Sequence, residues 1–430
     1  MKKTIGVCLS MVMISSLYGL GDYRCMDKSL CEVQEYKKVW SFDAVFSEGS
    51  VDGKIRLGYI NQDNHADGTP STYATSLGGQ LKYETAKFHH MSAAATFFVS
   101  QKISSLSGDK QKGELNGDFF DANQDSFTYV GEAYIDFGRK NIHLRVGRQK
   151  LDTPLNDRDD IRMLPNTFEA VMAGYGGIRD TILVAGYINR WAGYDSGDDI
   201  SKFKDLPGDI DANGEHGKGV MIAGVINKSI ENVELQAWYY DIDKETGILY
   251  ADVVYAIEYT NGLAAEAAVQ YGNYAEKSSS TIEGDVYGGS LSVGYEGITL
   301  SAAFNRVEAS DGKHITIGRG GGPYFTSMEE WTIYGMNDGE AYVCATEVDF
   351  SKMLFEGLNL TYVYGKFNGN DQTKIIAGAS KVEEHNLIMS YVLAENTDLE
   401  ISYADVNDKT NSGVNDVGYD RVLVRANYTF

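Results

Sequence analysis

The last ten residues alternate almost without fault. Val422, Val424, Ala426, Tyr428 and Phe430 fall on one face, and Arg421, Arg425, Asn427 and Thr429 on the other. A period of two with one apolar face is the pattern of a β-strand that meets lipid on one side and water on the other. The same alternation recurs along the chain at 54–61, 76–84, 91–99, 129–137, 142–149, 168–175, 181–189, 220–226 and 233–241. It continues at 249–259, 263–274, 286–295, 298–307, 341–350, 358–367, 385–393, 399–406 and 421–430. The connections alternate too: short turns such as 138–140, 260–262 and 296–297 follow every second segment, and long polar stretches (103–125, 150–167, 190–219, 309–339) follow others. Pro70, Pro154, Pro165, Pro207 and Pro323 all fall in long stretches, where no ladder donor is lost. The pattern predicts an all-β, transmembrane antiparallel β-barrel of 18 strands over 51–430, with short periplasmic turns and long external loops.

The amino terminus changes the picture only by placing it. Lys2 and Lys3 precede an apolar stretch, 5–14, too short to span a bilayer as a helix, and Gly19 and Gly21 suit a signal peptidase. Residues 1–21 are therefore expected to be a signal peptide and 22–50 a periplasmic segment, too short to form a plug. The expected location is the bacterial outer membrane. No run of eighteen apolar residues follows, whereas 29 Tyr, 47 Gly and only five Pro suit strands. In an oxidising compartment Cys25 and Cys31 are a possible disulfide, which leaves Cys344 facing lipid.

The formal charge is −23, and removing Lys2 and Lys3 with the signal takes it to −25. That argues against nucleic acid and suits an acidic external surface that holds divalent cations beside lipopolysaccharide. Expected partners are outer-membrane lipid, lipopolysaccharide, the barrel-assembly machinery, which would read Tyr428 and Phe430, and small hydrophilic solutes. The barrel would stand as a monomer or a loose trimer.

Eighteen strands enclose an aqueous channel rather than a packed core. Period two places Lys54, Arg56, Lys82, His143, Arg145, Arg421 and Arg425 inside. Because the last strand of a closed barrel pairs with the first, most of these bases share one wall, a cationic track for anions. Glu132, Asp136, Glu234, Asp252, Glu258, Glu266, Glu347, Asp349 and Glu400 also point inward, mainly over the rest of the circumference. Arg148, Arg306 and Lys366 have outward parity, which requires them to lie above the membrane. The inward faces read as charged rather than apolar.

The third long connection is dense in charge: Asp152, Asp157, Arg158, Asp159, Asp160 and Arg162, framed by Pro154 and Pro165. Its setting, Gly147-Arg148-Gln149, then Asp152-Thr153-Pro154-Leu155, then 160–168 (DIRMLPNTF), resembles the OprD-like porin family. The resemblance implies an eighteen-stranded monomeric barrel, a constriction shaped by this loop, a basic ladder opposite it, and uptake of small carboxylates or basic amino acids. The expected function is passive diffusion of small hydrophilic solutes, organic acids or amino acids, without cofactor, metal or catalysis; the other long loops are expected to lie outside. A barrel enzyme (phospholipase or protease) or an adhesin is the alternative. His89 and His90 fall at a periplasmic turn, and His65, His216 and His314 fall in separate loops, with no catalytic motif around them. Asp209, Asp211, Asn213 and Gly214 open like a calcium loop, but Val220 stands where a bidentate glutamate is needed. Glycines 318 and 320–322 read as a flexible loop, not a phosphate cradle.

Overall fold

The computed structural model describes residues 39–197, 199–206, 217–260, 262–277, 280–352 and 355–430. The proposed signal peptide, Cys25, Cys31, the acidic segment 209–214 and His216 lie outside them. The chain forms eighteen long strands: β1 Ser50–Asn64, β2 Thr72–Glu84, β3 Met91–Lys102, β4 Phe127–Arg139, β5 Ile142–Gln149, β6 Thr167–Ile178, β7 Thr181–Ala192, β8 Val220–Asn227 and β9 Val233–Ile242. The second half supplies β10 Thr246–Glu258, β11 Ala264–Glu276, β12 Gly284–Tyr295, β13 Ile298–Glu308, β14 Gly339–Asp349, β15 Leu358–Asn368, β16 Lys381–Ala394, β17 Thr397–Asp408 and β18 Tyr419–Thr429. Each pairs antiparallel with its sequence neighbours, and β18 pairs with β1 from Thr429↔Lys54 to Tyr419↔Asn64, so the sheet closes on itself.

Closure turns period two into a division between two solvents. On β1, Ile55, Leu57 and Tyr59 are exposed outside, while Arg56 and Ile60 are buried inside. On β18, Arg421, Leu423, Arg425 and Asn427 are buried inside, and Tyr428 is exposed outside. Cys344 is free, exposed and outward-facing. Arg148, Arg306 and Lys366 lie one or two residues from strand ends that enter longer connections, where outward charge can reach water.

Two local features depart from the sequence pattern. The β9–β10 connection on the external side is only three residues, 243–245, with Lys244 at φ +64°, so loop length does not mark the side everywhere. Between β3 and β4 the register shifts at Thr96/Phe97, where Gly131 has no partner. That bulge lets Tyr129 and Glu132 both face inward although their numbers differ in parity.

Before β1, helix α1 (Phe42–Ser47) is capped by Ser41, and Val45 packs with Val39 and Ala86 beneath the short β2–β3 turn. Phe430 finishes the seam: Gly53 donates to its carbonyl at 2.9 Å, and its own N–H bonds Gly53 O at 3.0 Å. Its ring lies where a Cβ on Gly53 would stand, 2.3 Å from the nearest ring atom, and stacks on Tyr428. Replacing Phe430 by Ser, or Gly53 by Leu, should therefore weaken the same closure. Both variants are expected to lower the heat-modifiable barrel recovered from outer membranes, and normal recovery of both would remove the seam from any part in assembly.

Candidate functional site: the basic wall and the inward loops

The bases on the inner faces of β18, β1, β2 and β5 form one wall, and nearly every one meets an acid. Nearest the external end, Arg421 reaches Glu330 at 2.5 Å and Asp118 at 3.4 Å. Arg162 bonds the same two acids, at 3.2 Å each, and stacks on Tyr194. Midway, Arg56 grips both oxygens of Asp160 at 2.6 and 2.9 Å, Lys54 adds a third contact at 3.1 Å, and Arg425 donates to the Asp160 carbonyl and to Glu400. Asn427 orients Arg56 through a 2.7 Å bond to Nε. Below, Lys150 bonds Gln80 at 2.8 Å and approaches Glu132, while Lys82 pairs with Glu84 at 2.6 Å. At the periplasmic end Asp136 gathers His143 (2.6 Å), Arg145 (3.1 Å) and Lys87 (3.9 Å).

Sequence parity thus puts the seven expected bases on the inner face, but not their pairing. Glu132, Asp136 and Glu400 stand among the bases rather than across from them. Lys87, Glu84, Lys150, Asp118 and Glu330 were missed; the first two follow from parity on β2 and its turn, while the others lie in connections that carry no period.

The connection 150–166 crosses the interior. Asp160 meets β1 at one side, and Leu155 N donates to Tyr240 Oη of β9 at 3.3 Å. β1 and β9 are nearly opposite in an eighteen-strand ring. A two-residue hairpin, Asp152–Thr153 with Asn156–Asp157, stiffens it, and Arg158 closes on Asp152. The other long connections do not all stay outside. Phe119 and Phe120, from 103–126, pack with Met163 and Leu164 against Ile60, Phe98 and Leu423. In 309–338, Tyr324, Phe325 and Met328 are buried in the large interior cluster with Tyr250, Val343 and Val363; Tyr324 Oη meets Tyr274 Oη. Thr326 bonds Asn305, and the N–H groups of Glu330 and Trp331 donate to Glu384 of β16 at 3.1 and 2.9 Å. The reason is burial: apolar side chains in these connections leave water only by turning into the ring. The inner face along β6–β16 is correspondingly more apolar than expected, with Ile222, Trp238, Ile248 and Val307 buried there.

The glycine run is ordered by packing. Arg319 N bonds Leu155 O at 2.9 Å, and Asp157 N bonds Arg319 O at 3.0 Å. Gly320, at φ +125°, has no room for a Cβ, which would meet Asp157 Oδ1 at 2.4 Å. Asp157 and Asp159 therefore sit in a pocket bounded by glycines and by Asp195, which Asn166 holds at 2.6 Å.

These carboxyls divide electrostatically. Burial alone would raise the Asp160 carboxyl, but the charges of Arg56 and Lys54 hold it well below the usual carboxylate range. Burial, then the nearby charges of Asp195 and Asp152, push Asp157 up to about 8, and burial with Asp195 and Asp157 raises Asp159 well above its ordinary value. Burial also raises Asp195.

A closed ring of eighteen strands, apolar outside and crossed inside by charged loops, defines a transmembrane barrel of the porin class. The chain belongs to the OprD family of outer membrane porins, whose family model matches residues 45–430. It is therefore an outer-membrane protein that contacts membrane lipid and solutes. Among curated protein sequences there is no match. Among solved structures, it is similar to OccK1 (OpdK) from Pseudomonas aeruginosa (17% identity, TM-score 0.73, covering 90% of this chain and 99% of that one). A BenF-like porin from Pseudomonas fluorescens Pf-5 is similar at 14% identity and TM-score 0.73, covering 90% of this chain and 100% of that one. The structure of OpdK with vanillate matches at 17% identity and TM-score 0.72, covering 90% of this chain and 99% of that one.

The opposed carboxyls set a pH dependence. Between the ordinary aspartate value near 4 and about 8 for Asp157, packed loops bind more protons at Asp157 and Asp159 than loops released to water. Packing is thus favoured at the acid end of that window and weakens as pH rises through it. Asp160 works the other way: its contact is lost only as pH falls below the usual carboxylate range. Current fluctuations of single channels are expected to grow from pH 5 to pH 9, and Asp157→Asn with Asp159→Asn should flatten that rise. A pH-independent record from the native barrel would break the linkage.

Proposed function

We propose that this barrel lets small organic acids diffuse passively into the periplasm along the basic wall, through a constriction narrowed by 150–166 and 309–338. The observation that carries the reading is the seat of Asp160. Two nitrogens of Arg56 and the Lys54 ammonium converge on one carboxylate, the fork geometry suited to a carboxylate. A solute carboxylate meets the same donors, and Arg421 and Arg425 above and Lys82 and Arg145 below continue the series. The vanillate bound by OpdK, an aromatic carboxylate, supports this solute class. Amino acids are the second class to try, and no catalytic role is proposed.

Electrostatics should act mainly where the passage is narrow, since charge interactions strengthen several-fold as the local dielectric falls and are screened by salt. Changing Arg145 and Arg421 together to Gln is expected to shift the reversal potential in asymmetric low salt toward cations, with assembly unchanged. A native pore already strongly selective for cations, together with no shift in the double variant, would reject the anion path.

Deleting 156–160 tests the constriction separately. It removes Asp160 and half of the small hairpin while leaving the eighteen strands intact, and should raise single-channel conductance. An unchanged conductance in a folded deletion variant would assign the narrowing elsewhere.

A further inference from the structure

The carboxylate that sits midway down the basic wall belongs to the protein itself. Arg56 gives Asp160 both terminal nitrogens, at 2.6 and 2.9 Å, and Lys54 adds its ammonium at 3.1 Å. The Arg56 side chain is only 3% exposed against 25% for Asp160, so the passage touches the acid far more than the base. A solute carboxylate cannot take this fork until Asp160 leaves it. The fork has supports that do not involve the Asp160 carboxylate: Arg56 Nε donates to Asn427 Oδ1 at 2.7 Å, and Nη1 also donates to Arg162 O at 2.6 Å. Arg425 donates to the Asp160 carbonyl, yet its own Nε is buried with no acceptor among the described residues. The resident acid thus leaves one donor beside the seat unmet.

Asp160 stands between two anchors that do not depend on it. Arg158 is closed on Asp152 at 2.6 Å, and Arg162 is held by Glu330 and Asp118 at 3.2 Å each. Only 159–161 intervene, a tight turn in which Ile161 N bonds Asp159 O at 2.9 Å and Asp159 lies at φ +31°. A new Asp160 rotamer empties the fork while both anchors stay in place. The other acids along the wall are less free: Glu330, Glu132 and Asp136 are 4–7% exposed. Glu400 is as open as Asp160, but it stands on a strand and accepts from one nitrogen of Arg425.

We propose that Asp160 is an exchangeable resident ligand of the solute seat: an entering carboxylate displaces it from Arg56 and Lys54, and its return releases the solute. The inference rests on the organic-acid reading above and supplies what that reading needs, a way off the seat. Exchange breaks and remakes the same pair of charge-assisted N–H···O bonds, whereas an empty fork would leave a buried guanidinium without its counter-charge. Conduction requires a site that binds strongly enough to admit the solute and weakly enough to let it leave. A bare fork flanked by Lys54 and Arg425 would hold a carboxylate firmly. A tethered carboxylate, present at an effective concentration in the millimolar range or above, competes it off.

The test uses the full-length barrel with benzoate as the probe. In single-channel recordings, Asp160→Asn, which keeps the size but loses the second charged oxygen, should lower the concentration of benzoate that half-blocks the chloride current by about tenfold. That is the factor by which a seat open one-tenth of the time weakens its ligand. With Arg56→Gln already in place, Asp160→Asn should lose most of that gain, because there is no fork left to free. An undiminished gain without Arg56 would make Asp160 a simple repulsive charge and overturn the proposal, as would a half-blocking concentration within twofold of native in Asp160→Asn. Structures of the native barrel with and without saturating benzoate need no variant: the benzoate carboxylate is expected on Arg56 and Lys54, with Asp160 turned away. Benzoate that enters the pore while Asp160 keeps its seat overturns this inference alone. A native pore that benzoate neither blocks nor permeates overturns the organic-acid reading and this inference with it.

Discussion

Lipid supplies no partner for a backbone N–H or C=O, and each one left bare in hydrocarbon costs several kcal/mol. An open sheet would carry two such edges, so the pairing of β18 with β1 is the interaction on which the rest depends. Once the ring is closed, every strand residue has only two destinations. The exposed apolar residues outside and buried polar residues inside reverse the arrangement of a soluble protein for that reason. Gly53 and Phe430 show how local the requirement is: the glycine lacks a side chain where the terminal ring must lie flat along the last rung of the seam.

A ring of this size encloses more room than its own side chains fill. Four connections enter it and meet at one junction: charges from three of them, Arg162 of 150–166, Glu330 of 309–338 and Asp118 of 103–126, gather with Arg421 of the wall, and Tyr194 of a fourth, after β7, stacks on Arg162. A buried charge costs several kcal/mol unless an opposite charge is well placed beside it. Each connection therefore needs the others in position before its own charge is satisfied. Effects of changes in two of these loops should not add, because the partners form one network.

Almost all of the barrel was legible because its strands obey a single rule over their whole length. All eighteen segments read from alternation overlap an observed strand, and the paired ends were legible from the same rule. What escaped lies where the rule stops. Gly131 inserts a bulge that exchanges the faces of β4, and 243–245 turns back in three residues on the side where long connections were expected. The inward course of 103–126 and 309–338 had a signal of another kind. Phe119, Phe120, Tyr324, Phe325 and Met328 are large apolar residues in segments otherwise polar enough to read as external loops, and hydration would not have tolerated them there. The pairing of each base was not legible, since it depends on which non-periodic side chain arrives from above the wall.

The charges of 150–166 show why a formal count misleads at such a site. Four aspartates and two arginines suggest an acidic barrier to anions. In the folded loop, Arg158 closes on Asp152, Arg56 and Lys54 take Asp160, and Arg162 is spent on Glu330 and Asp118. Asp157 and Asp159 face away from the basic wall, toward the glycine run and Asp195, where burial favours their neutral forms. Consecutive residues are thereby sorted to two sides of one loop, neutral against the packed interior and charge-matched against the wall. With the loop's acids paired, turned away or neutral, the repulsion implied by the sequence count is largely absent along that wall.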